Sequence, residues 1–217
     1  MTPDRLSLLK TLALTAAICA IGLDAVASDD EKDATKEVES QVTDAATPMQ
    51  KGDMELAAIA GFGVAHDLWE GEPDVRFLAL GVRCGRVLSG PTGPGFLRGN
   101  LEIAGELLPV FLVDPGDTTY GASVTLLGRH FFMPRSEWRP YAILGIGALA
   151  TKDGIPLESN GFNFTLQAGM GVRFTYENKI AFYAEYRIHH ISAGRTEAAN
   201  PGVNSSYLQF SASVFRW

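Results

Sequence analysis

Cysteine is almost missing from this sequence. Of the two present, Cys19 falls in an N-terminal apolar stretch, which leaves Cys84 alone in the body of the chain. That excludes a disulfide framework and a thiolate-held metal cluster. A basic surplus is lacking too: 18 Lys and Arg stand against 25 Asp and Glu, for a net charge of −7. No nucleic-acid partner is expected from that balance. Nor is the N-terminal apolar run, Thr11–Gly22, long enough for a spanning helix. Arg5 and Lys10 precede it and Ala25-Val26-Ala27 follows, so residues 1–27 are expected to be a cleaved secretory signal.

The charge is unevenly spread. Residues 28–53 hold three Lys against eight Asp and Glu, a net of −5, with few large apolar side chains. Such a stretch cannot bury enough apolar surface to fold, and it is expected to be a disordered acidic leader. Residues 54–217 carry a net of only −2.

From residue 54 onward a period-two alternation recurs eight times with turn residues between the runs, which predicts β-strands. The first run, 54–66, sets Leu56, Ala58, Ala60, Phe62 and Val64 on one face. The second, 74–87, offers Val75, Phe77 and Ala79. In the third, 98–113, Leu101, Ile103, Leu107 and Phe111 alternate with Asn100, Glu102 and Glu106. The fourth, 118–131, sets Tyr120, Ala122, Val124 and Leu126 against Ser123, Thr125 and Arg129. The fifth, 138–151, shows Ala142, Leu144, Ile146 and Ala148. The sixth is the most regular, with apolar residues at every even position from Phe162 to Phe174 facing away from Asn163, Thr165, Gln167 and Arg173. The seventh, 179–192, opposes Phe182, Ala184, Tyr186 and Ile188 to Glu185, Arg187 and His189, and the eighth, 204–217, carries Leu208, Phe210, Ala212 and Val214.

Eight is the smallest even number of strands that closes a membrane barrel, and closure removes the edges that lipid does not tolerate. The expected fold is therefore an all-β, eight-stranded antiparallel transmembrane β-barrel over 54–217. A soluble barrel with the opposite sense of alternation is the competing arrangement. The polar face favours the membrane version, because Glu102, Glu106 and Glu185 match Arg129, Arg173 and Arg187 in number. A narrow lumen filled by side chains needs its charges paired. Gly61, Gly63, Gly145, Gly147, Gly169 and Gly171 share that face, and no helical pattern follows them to make a dinucleotide fingerprint. Phe215 and Trp217 resemble the aromatic terminus by which outer-membrane barrels are recognised by their assembly machinery. Strict alternation would put both on the lumen side, so an irregularity is expected near the end of the eighth strand.

The lipid-facing stripe of the seventh strand continues into His190 and Ser192. Packing against lipid gives no reason for an imidazole and a hydroxyl there. With the N-terminus on the periplasmic side, the seventh strand ends outside, level with the outer leaflet. Asn204, on the Leu208–Phe210 face of the next strand, falls at similar height. A hydroxyl becomes a useful nucleophile when a neighbouring imidazole takes its proton, and residues two apart on a strand share a face. His66 and His130 sit near strand ends, where interfacial anchoring explains them, and His189 belongs to the lumen set.

At these residues the chain resembles the PagL-type lipid A 3-O-deacylases, a family of eight-stranded outer-membrane barrels. The resemblance is carried by Arg139-Pro140-Tyr141, Gly145-Ile146-Gly147, Gly169-Met170-Gly171, and above all His190-Ile191-Ser192 with Asn200-Pro201-Gly202-Val203-Asn204 downstream. It implies a bacterial outer-membrane hydrolase whose partner is lipid A, or lipopolysaccharide, in the outer leaflet. Ser192 would be the nucleophile, His190 the base and Asn204 the third group, with no metal or cofactor. The family pattern has Glu where this chain has Asn204, and Asn where it has Ala193. Backbone N–H groups near Gly194 are then the oxyanion candidates, and Glu197 and Arg195 are further loop charges near the site. A non-catalytic small barrel, acting as adhesin, structural protein or lipid binder, is the alternative, and a homodimer is left open.

Overall fold

The structure, a computed structural model, describes residues 49–66, 75–114, 119–132, 136–153, 155, 161–177, 180–193 and 202–217. The expected signal peptide and most of the acidic leader lie outside the described residues. The strands are β1 (Met54–Ala65), β2 (Arg76–Val87), β3 (Gly99–Asp114), β4 (Thr119–Phe132), β5 (Trp138–Thr151), β6 (Phe162–Tyr176), β7 (Ile180–Ser192) and β8 (Val203–Arg216). Each is antiparallel to its neighbours in chain order, and β8 pairs with β1 to close the barrel.

The sense of the alternation settles which solvent the wall faces. Outward side chains are apolar and open: Leu144 is 70% exposed, Met170 69% and Phe210 60%. Inward ones include fully buried Arg83, Arg129, Arg173 and Arg187. A soluble barrel would be arranged the other way round, whereas an apolar outer band is what a bilayer requires. Aromatic residues gather at both rims, with Trp138, Tyr176 and Trp217 at the periplasmic end and Tyr120, Phe162 and Phe164 at the other, all exposed. Such girdles mark the two membrane interfaces.

Two strands depart from the faces expected of them. Val75, just ahead of β2, and Phe77 and Ala79 within it are buried toward the lumen rather than facing lipid, and Leu78, Leu80 and Val82 take the outer side. Both faces of this half-strand are apolar, so alternation alone could not choose between them. In β3, Leu101 and Ile103 face out, but Phe111 is buried and Leu107 is buried as well. The pairing with β4 shifts between Leu108 and Phe111, and that with β2 between Leu80 and Val82. Pro109 sits in this gap; lacking an N–H it cannot extend the ladder, and the resulting bulge exchanges the two faces beyond it.

A third irregularity falls in β8, where Leu56 pairs with Phe215 but Ala57 pairs with Ser213. This bulge is the one that the position of the terminal aromatics demands. Beyond it, Met54 and Trp217 exchange backbone hydrogen bonds of 2.7 and 3.1 Å.

Inside, the barrel is packed in layers. Toward the outer end Phe77 stacks on Phe111 with ring centroids 4.9 Å apart and leans on Tyr207 at 5.2 Å. A Cβ at Gly63 would collide with the Phe77 ring, so this close approach needs glycine. Toward the periplasm Leu127, Phe131, Tyr141, Ile143 and Tyr183 form a second apolar cluster. Met49 joins it, buried beneath the first strand and tied by Asn100 Nδ2 donating to its carbonyl at 3.1 Å. Between the clusters lies a charged layer.

Candidate active site

In that charged layer Arg187 donates to both oxygens of Glu106 at 2.8 and 2.9 Å and to Glu185 Oε2 from Nε at 2.9 Å. Arg83 bridges Glu185 at 2.5 Å and Glu106 at 3.2 Å. Arg129 is paired with Glu102 and stacks over the Phe131 ring, 5.1 Å from its centroid. Nearer the periplasm Arg173 lies 3.7 Å from Glu55 and donates to Tyr183 Oη at 3.0 Å. All six lumen charges expected from the alternation are therefore paired inside. The structure adds Arg83, hidden by the opposite phase expected of β2, and Glu55, the second residue of β1. Each of these charged side chains is paired with an opposite charge inside the barrel and none opens to lipid, so the layer ties the strands together.

On the outer wall, β7 carries Phe182, Tyr186, Ile188, His190 and Ser192 in one outward stripe. The register with β8 places Asn204 directly opposite His190. Their side chains meet, His190 Nδ1 lying 2.7 Å from Asn204 Oδ1. With Oδ1 as the partner, an amide oxygen can only accept, so Nδ1 carries the proton and donates it. The lone pair is then on Nε2, at the opposite edge of the ring. Ser192 follows on the same face, about 6.7 Å further along the strand by the usual rise per residue. Although Asn204 faces outward, it is only 2% exposed, so its bond to His190 is shielded.

Gly202 shapes this corner. Its φ is +77°, a conformation that L side chains rarely adopt, and a Cβ there would stand 3.0 Å from His190 Cε1 and 3.1 Å from the Ile191 carbonyl oxygen. The glycine thus lets the incoming chain lie against the imidazole and limits its rotation. Sequence reasoning had used Gly202 only as part of a spacing; the Pro-Gly pair ahead of a strand was the signal that a close turn stood there.

Beside His190 and Ser192 runs a groove of about 690 Å³ between β4, β5, β6 and β7, walled by Val124, Leu126, Ile146, Ala148, Phe164 and Leu166. That volume lies in the range of ligand pockets, roughly 300–1,000 Å³. It is apolar except at the edge where the imidazole and hydroxyl sit. A second wall groove of about 530 Å³, near Trp138, Phe182 and Phe210, has no outward titratable group beside it. The wall near Ser192 therefore combines a slot for an apolar chain with a hydrogen-bonded base at one end.

Gly194, Arg195 and Glu197 lie outside the described residues. Ala193, within them, is buried. His189 points inward beside Phe77 and Tyr207, with centroid distances of 5.5 and 5.8 Å, and His130 Nε2 lies 3.0 Å from the Leu97 carbonyl oxygen. Among the described residues, no cluster of three or more His, Cys, Asp or Glu could hold a metal ion.

A family model described as lipid A 3-O-deacylase (PagL) matches residues 100–213, just over half of the chain. The match includes His190, Ser192, Gly202 and Asn204. Among solved structures, the crystal structure of the outer membrane enzyme PagL aligns with a TM-score of 0.48 and 16% identity, covering 71% of this chain and 97% of that one. The crystal structure of the outer membrane protein OprG from Pseudomonas aeruginosa aligns with a TM-score of 0.39 and 10% identity, covering 78% and 98%. No curated protein matches the chain.

Proposed function

This outer-membrane barrel belongs to the lipid A 3-O-deacylase (PagL) family, and from that premise we propose that it hydrolyses the ester of the 3-hydroxyacyl chain at position 3 of lipid A, with Ser192 as nucleophile, His190 as general base and Asn204 as orienting group. The observation that carries this reading is the 2.7 Å contact of His190 Nδ1 with Asn204 Oδ1. It directs the free Nε2 lone pair away from Asn204, on the face of the wall that Ser192 shares.

The acyl chain lies in the groove between β4 and β7, which brings its ester to the outer-leaflet end beside Ser192. His190 Nε2 takes the hydroxyl proton as Ser192 Oγ attacks the carbonyl carbon. The oxyanion that forms is met by backbone N–H groups following the nucleophile, in the neighbourhood of Gly194. Collapse expels the sugar 3-oxygen, which takes the proton from imidazolium and leaves as a hydroxyl. Water, deprotonated by the same Nε2, then attacks the acyl-serine ester and returns Ser192 with release of the 3-hydroxy fatty acid. Asn204 orients the imidazole but adds no negative charge to stabilise imidazolium, so this site works by orientation where an acid would add electrostatics.

Purified protein in detergent, given lipid A, is expected to release 3-hydroxy fatty acid. Ser192→Ala and His190→Ala should each lower kcat/KM by about 10³-fold or more, and the double variant should be little worse than either, because the two act as a unit. Additive losses, or full turnover by Ser192→Ala, would refute the assignment.

A further inference from the structure

The periplasmic turns of outer-membrane barrels are short, and β6 and β7 are joined by residues 177–179 alone, yet β2 and β3 are joined by 88–98. This longer connection is closely built. Thr92 and Gly99 exchange backbone hydrogen bonds of 2.8 Å in both directions. Between them lies a tip with Pro94 and a single 3₁₀ turn over Gly95–Leu97. Leu97 N–H donates to the Pro94 carbonyl and Arg98 N–H to that of Gly95, each at 3.1 Å. Ordering a loop costs conformational entropy, and no residue of that turn is buried to offset it. Phe96 is 84% exposed, more than any other large apolar residue described, and Leu97 beside it is exposed as well.

The tip lies against the outside of the barrel. His130 faces outward, between inward Arg129 and Phe131, and stands opposite Leu101 on the lipid-facing wall. Its Nε2–H donates to the Leu97 carbonyl at 3.0 Å. Gly99 makes this approach possible, since a Cβ there would collide with the Phe131 carbonyl and stand 3.0 Å from His130 Nε2. Residues 95–98 are thereby curled onto the face of β4 that meets lipid. The loop also begins on that face: Leu88 lines an apolar wall groove of about 330 Å³ together with Leu101, Ile103, Leu126 and Leu144. A phenyl ring held at this rim is continuous with the membrane-facing surface and suits the layer where aromatic belts sit. Arg98, next in the chain, is exposed. A long cationic side chain there keeps its stem in that layer while its head meets lipid phosphate.

We propose that the β2–β3 loop is a membrane hook: held on the wall by His130, it inserts Phe96 and Leu97 among the glycerophospholipids of the periplasmic leaflet, with Arg98 at their phosphates. This depends on the barrel lying in a bilayer and not on the reaction at Ser192. The full chain, with Cys19 and Cys84 changed to alanine, is folded into phosphatidylcholine–phosphatidylglycerol vesicles carrying one nitroxide at a time, on Phe96→Cys, Arg98→Cys or Lys51→Cys. Lys51, exposed just ahead of β1 at the same end of the barrel, is the reference for water. Oxygen concentrates in lipid and a nickel chelate stays in water, so the ratio of their effects on the label reports depth. The label at 96 should favour oxygen, the label at 51 the chelate, and the label at 98 should fall between them. Adding His130→Ala should shift the label at 96 toward water, because the bond that holds the tip to the wall is gone. A label at 96 as open to the chelate as the one at 51 would overturn the proposal. So would a label shielded from both reagents, the mark of a covering protein segment, or a depth at 96 unmoved by His130→Ala. Folding of each variant is read first from its gel mobility; should Phe96→Cys fail to fold, Leu97→Cys reports on the same tip with the same outcomes.

Discussion

Arg187 is where the paired-charge lumen is most exposed to test. Its guanidinium spans Glu106, through both oxygens at 2.8 and 2.9 Å, Glu185 at 2.9 Å and Gln167 at 2.7 Å. Changing Arg187 to Met keeps much of the volume and removes the charge. Glu106 and Glu185 then share Arg83, at 3.2 and 2.5 Å, with Arg129 3.7 Å from Glu185 as the other remaining cation. Stranding buried carboxylates in this way costs roughly 3–5 kcal/mol. Arg173 offers a graded control. It stands 3.7 Å from Glu55, whose side chain is 10% exposed and which also accepts from Tyr183 Oη. Arg173→Met should therefore cost less, about 1–3 kcal/mol. The assay is urea unfolding of the detergent-solubilised barrel, followed by the gel mobility difference between folded and unfolded forms. The expected order of midpoints is wild type, then Arg173→Met, then Arg187→Met. Adding Glu106→Gln to Arg187→Met should recover part of the loss, since it removes the stranded charge. Coincident midpoints for all variants would refute the argument, because lumen charges that can be deleted freely are solvated rather than paired.

Gly202→Ala should lower turnover about 10- to 100-fold while leaving the folded gel band intact, because a methyl 3.0 Å from His190 Cε1 moves the base and the strain stays local to one turn; wild-type kinetics in this variant would show that the turn does not hold the imidazole. Ala148→Trp fills the groove beside Ser192, so release of a long acyl chain should fall, mainly through KM, while hydrolysis of a short-chain ester in the same micelles continues. Equal effects on the two substrates would mean that the acyl chain lies elsewhere.

Much of this architecture was legible in the residues. All eight strands fall within one or two residues of the alternating runs, because one face of each meets lipid and the other a charged lumen. Legibility failed where chemistry on the two faces was alike. Val75, Phe77 and Ala79 look outward-facing beside Leu78 and Leu80, and only packing against Phe111 and Tyr207 turns them in. It failed again at Pro109, since one bulge reverses every residue beyond it. With β2 read in the wrong phase, Arg83 could not be recognised as the cation linking Glu106 and Glu185. At the site, His190 and Ser192 stood out as polar residues on a greasy stripe. The sequence already set Asn204 at the height of His190, and the β7–β8 register makes the two direct neighbours, whereas the role of Gly202 needed distances that no spacing encodes.

Mass spectrometry of lipid A from outer membranes of cells expressing the chain tests most directly whether Ser192 removes one particular acyl chain from lipid A. Wild type should yield a species lighter by one 3-hydroxyacyl group, with fragmentation placing the new hydroxyl at position 3, while Ser192→Ala, present in the membrane at the same level, should leave lipid A whole. Intact lipid A in the wild-type strain, or the same lighter species with Ser192→Ala, would contradict the account and leave the chain as a barrel that carries the family's wall without its chemistry.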